Sequence, residues 1–392
     1  MKHIVILGGG FAGLYTALEL QRLPDGESRR VTLVDRQERF LFSPLLYEYL
    51  IGEMDAWEIA PYLRELVGPP HQVVRDLVTG VDLSQRQVYL AAQPPLTYDA
   101  LVLALGGETP SFGIPGVAEY AYGFRTLADA ERLRERLTSL PSSAVITIVG
   151  AGASGVELAC KLADRLGSQT QIRLLDRGSQ ILSGFAAATV QAAETALQQR
   201  QVTLMLNRQV VAIGRDFVQW HPLPSGDIHQ DKTDVVIWVT GTAAHPLIQS
   251  LPVLKTARQS VQVTPTLQVP DYPEVFAVGD LSATSDVSGH PIPASAQAAF
   301  QQAGYCAWNL WAYLSPHALR PLLPFRYQPL GEMLSLGTDT AVLSGLGLTL
   351  TGSLGYLARR AIYLGRLPTW EHQRKVGWQW LSRPFSQFLN IS

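Results

Sequence analysis

The stretch HIVILGGGFAGLYTALELQRL, residues 3–23, decides the fold class. Ile4 to Leu7 are apolar without alternation, the pattern of a strand buried on both faces of a parallel sheet. They run into Gly8-Gly9-Gly10-Phe11-Ala12-Gly13 and then into a segment with helical periodicity. In the order strand, GxGxxG, helix, each glycine has its own duty. Gly8 permits the tight turn, Gly10 lets backbone approach a pyrophosphate, and Gly13 lets the helix close on the strand. A second strand-like run, RRVTLVD, ends in Asp35, 22 residues after Gly13, and is followed by Arg36. That is where a ribose-binding carboxylate belongs.

The pattern recurs. AVITIVG leads into Gly150-Ala151-Gly152-Ala153-Ser154-Gly155 and the helical run VELACKLADRL, and TQIRLLD ends in Asp176, 21 residues after Gly155. Two dinucleotide folds in one chain suit a flavin in one site and a nicotinamide cofactor in the other. A later strand-like segment, VFAVGDLS, ends in Gly279-Asp280. If it returns to the first sheet, Asp280 can reach a flavin's phosphate or ribitol chain, and the second fold is an insertion in the first. YDALVLALGG, around Gly106, and DVVIWVTGTAAHP, around Gly241, fit the exits of that insertion, where backbone must pass a ligand. The expected organisation is therefore α/β with two Rossmann-like domains. Residues 1–112 form the first part of an FAD-binding domain, 113–250 an inserted NAD(P)H-binding domain, 251–324 the second FAD-binding part, and 325–392 a C-terminal membrane-associating region.

Composition narrows the class. The chain has 392 residues, 47% of them hydrophobic, and a formal net charge of −2. That is enough for two or three domains and gives no basic field for nucleic acid. Only Cys160 and Cys306 are present, so neither a disulfide framework nor a Cys/His metal cluster is expected. The N-terminus reads as a strand rather than a signal peptide. No run of 18 apolar residues occurs, so no transmembrane helix is expected.

The order of these motifs resembles the two-dinucleotide flavoprotein disulfide-reductase superfamily. Within it, the chain is similar to the type II NAD(P)H:quinone oxidoreductases. The resemblance rests on GGGFAG with Asp35, FLFSPLLYEYL at 40–50, GAGASGVELA at 150–159, VFAVGD at 275–280 and AQAAFQQ at 296–302. The wording of residues 40–63 resembles the cyanobacterial and plastid branch, whose members reduce demethylphylloquinone. The resemblance implies FAD in the first site, with Ser43, Pro44 and Leu45 beside the isoalloxazine, and NADH or NADPH in the second. Asp176 favours NADH, because a carboxylate accepts from a free 2′-hydroxyl and repels a 2′-phosphate. Glu157, read in the first turn of its helix, has one explanation in the helix dipole; the resemblance offers another, placing it where flavin and nicotinamide meet. It further implies a homodimer. The disulfide reductases of the superfamily need a close cysteine pair, whereas Cys160 and Cys306 are 146 positions apart and read as apolar packers.

AQAAFQQ carries Gln297 and Gln301 four apart, hence on one helix face, among Ala296, Ala299 and Ala303. Small residues give room for flat rings, and amides donate to quinone carbonyls without adding charge. The family's AQxAxQ quinone-site signature fits here. The tail joins Arg359, Arg360, Arg366, Arg374, Lys375 and Arg383 to Trp370, Trp378, Trp380, Phe385 and Phe388. SLGYLARRAIYLGRL groups Leu354, Leu357, Ala358, Ala361 and Leu364 on one side, with arginines expected on its flanks. This pattern reads as an amphipathic helix on an anionic lipid surface; the resemblance to the cyanobacterial branch implies the cytoplasmic face of a thylakoid or plasma membrane. Removing residues 353–392 is then expected to spare at least part of the activity on water-soluble quinones. The leading expectation is two-electron transfer from NAD(P)H through FAD to a membrane prenylquinone, demethylphylloquinone or plastoquinone, without proton pumping. The alternatives are a soluble reductase of a small redox protein, a respiratory NADH oxidoreductase of menaquinone or ubiquinone, and a non-catalytic NAD(P)H sensor.

Overall fold

The computed structural model describes residues 1–24, 28–257, 259–286, 289–315, 320–345 and 347–389, with side chains of the last helix described as far as Arg383. Phe385 and Phe388 lie outside the described side chains. The chain forms two compact units. The first comprises Met1–Leu41, Ala60–Glu108 and Thr242–Gln328, and the second Phe42–Ile59, Thr109–Gly241 and Pro329–Ser392.

The first unit is built on a six-stranded sheet in the order Gln268–Val269, Tyr272–Ala277, Ala100–Leu103, Lys2–Leu7, Arg29–Asp35, Gln72–Arg75. All pairings are parallel except that of the first edge strand. Lys2–Leu7 is central, with Ile4 opposite both Val31 and Ala100. Ile4 to Leu7 are completely buried, the outcome their unbroken apolar run requires. The connection from this strand runs to Arg29–Asp35 on one side and that from its neighbour Ala100–Leu103 to Tyr272–Ala277 on the other, so their C-terminal ends mark a topological switch point, where a parallel sheet opens a crevice. One sheet face packs Val5, Leu7, Val34, Leu101, Leu103 and Val275 into a core with Val88 and Leu90 of a small antiparallel sheet. The helices Phe11–Arg22 and Ala296–Leu314 pack against each other.

The second unit repeats the plan with five parallel strands in the order Thr203–Met205, Gln171–Leu175, Val145–Val149, Val235–Trp238, Ala121–Gly123. It also holds a three-stranded antiparallel sheet, Glu332–Ser335, Ala341–Gly345 and Leu348–Thr351, followed by the helices Gly352–Arg366 and Trp370–Leu389.

These units differ from the divisions expected at 112, 250 and 324. Phe42–Ile59 and the C-terminal segment both belong to the second unit. The reason is electrostatic as much as apolar. Glu48, Glu53 and Glu58 of the short segment find their bases on Lys161, Arg359 and Arg383. Glu332 accepts from Ala186 N–H and the Thr189 hydroxyl, tying the C-terminal sheet to the same unit.

Candidate functional site

The two glycine loops have the same local geometry. Gly8 stands at φ +104° and Gly150 at φ +114°, positions that disfavour any side chain. A Cβ on Gly13 would lie 1.8 Å from the Gly8 carbonyl oxygen, and one on Gly155 1.7 Å from that of Gly150. Each helix is thereby pressed onto its own strand end. A Cβ on Gly10 or Gly152 would meet nothing within 4 Å, and neither helix has a side-chain N-cap. By contrast, Ser295 caps Ala296–Leu314 by accepting from Ala298 N–H. Bare first-turn N–H groups beside an open glycine face fit a pyrophosphate, so both loops suit a dinucleotide.

The acids at the second strand ends are held alike. Asp35 Oδ2 accepts from Gly9 N–H at 2.6 Å and Oδ1 from Gln37 N–H at 2.7 Å. Asp176 Oδ2 accepts from Ala151 N–H at 2.7 Å and Oδ1 from Gly178 N–H at 2.6 Å. Each carboxylate braces its glycine loop and keeps lone pairs for a ribose hydroxyl. Burial raises the Asp35 carboxyl against the lowering effect of those two N–H donors. Arg36 is exposed and lines, with Gly8, Asp35, Gly107, Glu108 and His245, a cleft beside the first loop. Phe11 stacks on Tyr15 and meets Phe40 edge-on.

Gly279, at φ +78°, would set a Cβ 3.2 Å from Ala12 Cβ and 3.9 Å from Ala299 Cβ. The return strand Tyr272–Ala277 thus delivers the Gly279-Asp280 turn to the first loop, with Ala296 opening the helix alongside. A residue unforeseen in sequence fastens it. Gln302, almost fully buried, accepts from Gly279 N–H at 2.6 Å and donates to Thr284 Oγ1 at 2.8 Å. The expected pair is held by partners from the following segment. Gln297 Oε1 accepts from the Tyr327 hydroxyl, and Gln301 exchanges two hydrogen bonds with the Gln328 backbone. These bonds hold the Gln301 amide to the Gln328 backbone and leave one of its two N–H donors for a further acceptor. Gly106 and Gly241 both have positive φ, +67° and +65°, and the short strands that follow them, Gly107–Glu108 and Ala243–Ala244, pair antiparallel.

In the second unit Ser43, Pro44 and Leu45 form a 3₁₀ turn leading into Leu46–Leu50. Its Pro44 carbonyl accepts from Arg359 at 2.7 Å. Arg359 is completely buried, not on a flank of its helix, and pairs with Glu48 at 2.5 Å and Glu157 at 3.5 Å. Glu157 Oε1 also accepts from Ser335 N–H at 2.8 Å. Burial raises the Glu157 carboxyl to about 7 although Arg359 and the Ser335 N–H pull it down. Burial also pushes Glu48 upward, but Arg359 and Lys161 outweigh it and hold that carboxyl low. Single charges inside apolar runs, Glu48 in FLFSPLLYEYL and Lys161 in LACKLA, were the sequence signal of this cluster.

Both thiols are buried and pushed up to about 12 by burial, so neither is a thiolate at neutral pH. No helix among the described residues is long and apolar enough to cross a membrane.

The family described as pyridine nucleotide-disulphide oxidoreductase matches residues 2–303. Demethylphylloquinone reductase NdbB of Synechocystis sp. is 45% identical, over 99% of this chain and 97% of its own. The alternative NAD(P)H-ubiquinone oxidoreductase C1 of Arabidopsis thaliana is 38% identical, over 97% of this chain and 80% of its own. Among solved structures, NDH2 from Plasmodium falciparum in complex with NADH aligns with a TM-score of 0.86 over 97% of this chain and 98% of its own. At 17% identity, that likeness speaks to the fold alone.

Proposed function

The chain belongs to the pyridine nucleotide-disulphide oxidoreductases and, among them, to the type II NAD(P)H:quinone oxidoreductases, and from that premise we propose that it reduces a prenylated naphthoquinone of the demethylphylloquinone class at a lipid surface. It is an FAD-dependent NAD(P)H:quinone oxidoreductase. Bound FAD supplies the two-electron relay from the nicotinamide to the quinone. The balanced reaction takes NAD(P)H, one proton and a quinone to NAD(P)⁺ and a quinol.

The chain's own residues bind and orient. The Gly8–Gly13 loop and Asp35 are assigned to FAD, and the Gly150–Gly155 loop and Asp176 to the nicotinamide nucleotide, with NADH preferred because Asp176 repels a 2′-phosphate. Glu157, whose carboxyl titrates near 7, exchanges the reaction's proton. Gln297 orients a quinone carbonyl. The observation that carries the quinone reading is the convergence of Ala12, Gly279 and Ala299, which sets a small-residue helix against the first glycine loop.

Lipid contact is assigned to the terminal helices. Leu354, Leu357, Trp370, Trp378 and Leu381 are each more than 60% exposed. Large apolar side chains gathered at that exposure call for an apolar environment.

Anaerobic titration with NADH, then with a short-chain demethylnaphthoquinone, tests the reading. The yellow protein should bleach and recover, with NADH ahead of NADPH and the naphthoquinone ahead of a benzoquinone. A colour unmoved by either nucleotide would sink the enzyme assignment. A benzoquinone preference would sink the naphthoquinone one.

A further inference from the structure

The second unit buries a connected set of charges. Glu48, Glu53 and Glu157 meet Lys161 and Arg359, drawn from the segment Phe42–Ile59, the helix Ala153–Leu166 and the C-terminal helix Gly352–Arg366. Lys161 is held by Glu53, with Nζ 2.9 Å from Oε1 and 3.0 Å from Oε2. Arg359 is anchored at one Nη by Glu48 and at the other by the Pro44 carbonyl. The grip is incomplete. Glu48 Oε2 and Arg359 Nε are buried with no hydrogen-bond partner. A carboxylate and guanidinium matched for each other alone would close both contacts as a fork. Here Arg359 instead turns its second Nη toward Glu157.

The balance of charge then singles out one group. Two bases neutralise two acids, Glu53 on Lys161 and Glu48 on Arg359, and the third acid has only a share in Arg359. We propose that Arg359 and Glu48 form a counter-ion pair that sets the protonation of Glu157, making the C-terminal helix part of the enzyme's proton-handling machinery and not only its lipid contact. The inference rests on the reading that Glu157 exchanges the proton of quinone reduction. Arg359 and Glu48 act through Glu157 and are positioning residues.

The groups around Glu157 fix the sign of each perturbation. Arg359 and Tyr363 face it from the C-terminal helix, Glu48 and Tyr47 from the short segment, the Ser335 N–H from the antiparallel sheet, and Cys160 and Lys161 lie on its own helix. Arg359 stabilises the carboxylate and Glu48 opposes it. An opposite charge at this range moves a carboxyl by about 1–3 pH units. Arg359→Gln should therefore raise the Glu157 midpoint by about one unit or more. Glu48→Gln should lower it, because Arg359 is then left to Glu157 alone. The double variant should return near the starting value, and Arg359→Lys should rise less than Arg359→Gln.

The test is an infrared pH titration of the FAD-loaded protein, with the Glu157 carboxyl band assigned by its loss in Glu157→Gln. Flavin content and melting temperature check folding. Up, down and near-original midpoints across the three variants support the proposal, and a structural role alone would not produce opposite signs. Midpoints that stay put, or move in one direction in both single variants, overturn it. If Arg359→Gln does not fold, the fall in Glu48→Gln and the rise in Arg359→Lys decide. Quinone turnover is followed in parallel. Midpoints that obey the pattern while the pH profile of turnover ignores it would keep the counter-ion pair and remove Glu157 from the proton step.

Discussion

The two glycine loops are near copies as backbone, and the helices that leave them differ. Seven residues after Gly8 stands Tyr15, and seven after Gly150 stands Glu157. Tyr15 lies among aromatic rings, edge-on to Phe40 at 5.9 Å and to Phe300 at 4.7 Å. Glu157 lies among charges. Equal loops thus sit on unequal supports. Rings close over one helix by dispersion and area burial, which any neighbouring apolar segment can supply. The other helix needs specific partners, because a buried carboxyl without them is costly. Those partners come from residues far away in sequence.

The largest effect expected from breaking this comparison comes from the shared part. Valine at Gly13 or Gly155 forces its Cβ against a carbonyl oxygen less than 2 Å away. Strain of about 1.4 kcal/mol already weakens binding tenfold, and this contact should exceed it. Gly13→Val should purify without flavin, and Gly155→Val should keep its flavin and lose reduction by NADH. The reverse outcome in absorbance spectra would exchange the two site assignments.

Next comes deletion of residues 353–392, which sharpens the contrast in support. The notion of a detachable lipid anchor gives way here, because Arg359 is completely buried and Glu58 is bound by Arg383 and the Trp380 indole. Stripping a buried carboxylate of its partner costs about 3–5 kcal/mol. The truncated chain should lose the melting transition of its second unit and its turnover of water-soluble quinones while still binding FAD. Full activity on such quinones after truncation would show that the helix contributes only lipid contact.

The smallest effect is a pH dependence. Folded Glu157 keeps its proton to about pH 7, against an ordinary value of 4.5. Between those values the folded chain holds more protons than the unfolded one, so stability falls as pH rises through that window. The full shift corresponds to on the order of 3 kcal/mol. Glutamine cannot ionise, so the melting temperature of Glu157→Gln relative to the parent should climb from pH 5 to pH 8. Tyr15→Phe at the equivalent position should show no such trend. A gap independent of pH in both variants would erase the proposed difference between the two supports.

The sequence by itself determined what depends on neighbours along the chain. Turn sterics at Gly8 and Gly150, the unbroken apolar strands and the acids closing each second strand are local, and their spacing is enough to read two dinucleotide folds. The small-residue helix after Gly279 was legible for the same reason, although nothing in the sequence singled out Gln302, which fastens it. Tertiary structure alone decided the pairing of charges. Arg359 meets Glu48 across 311 positions and Glu157 across 202. In sequence Arg359 was one of several basic residues in an aromatic tail, and Glu48 one acid in an apolar run. Which buried charge answers which is set by three-dimensional proximity in a medium of low polarity, and no periodicity along the chain encodes it.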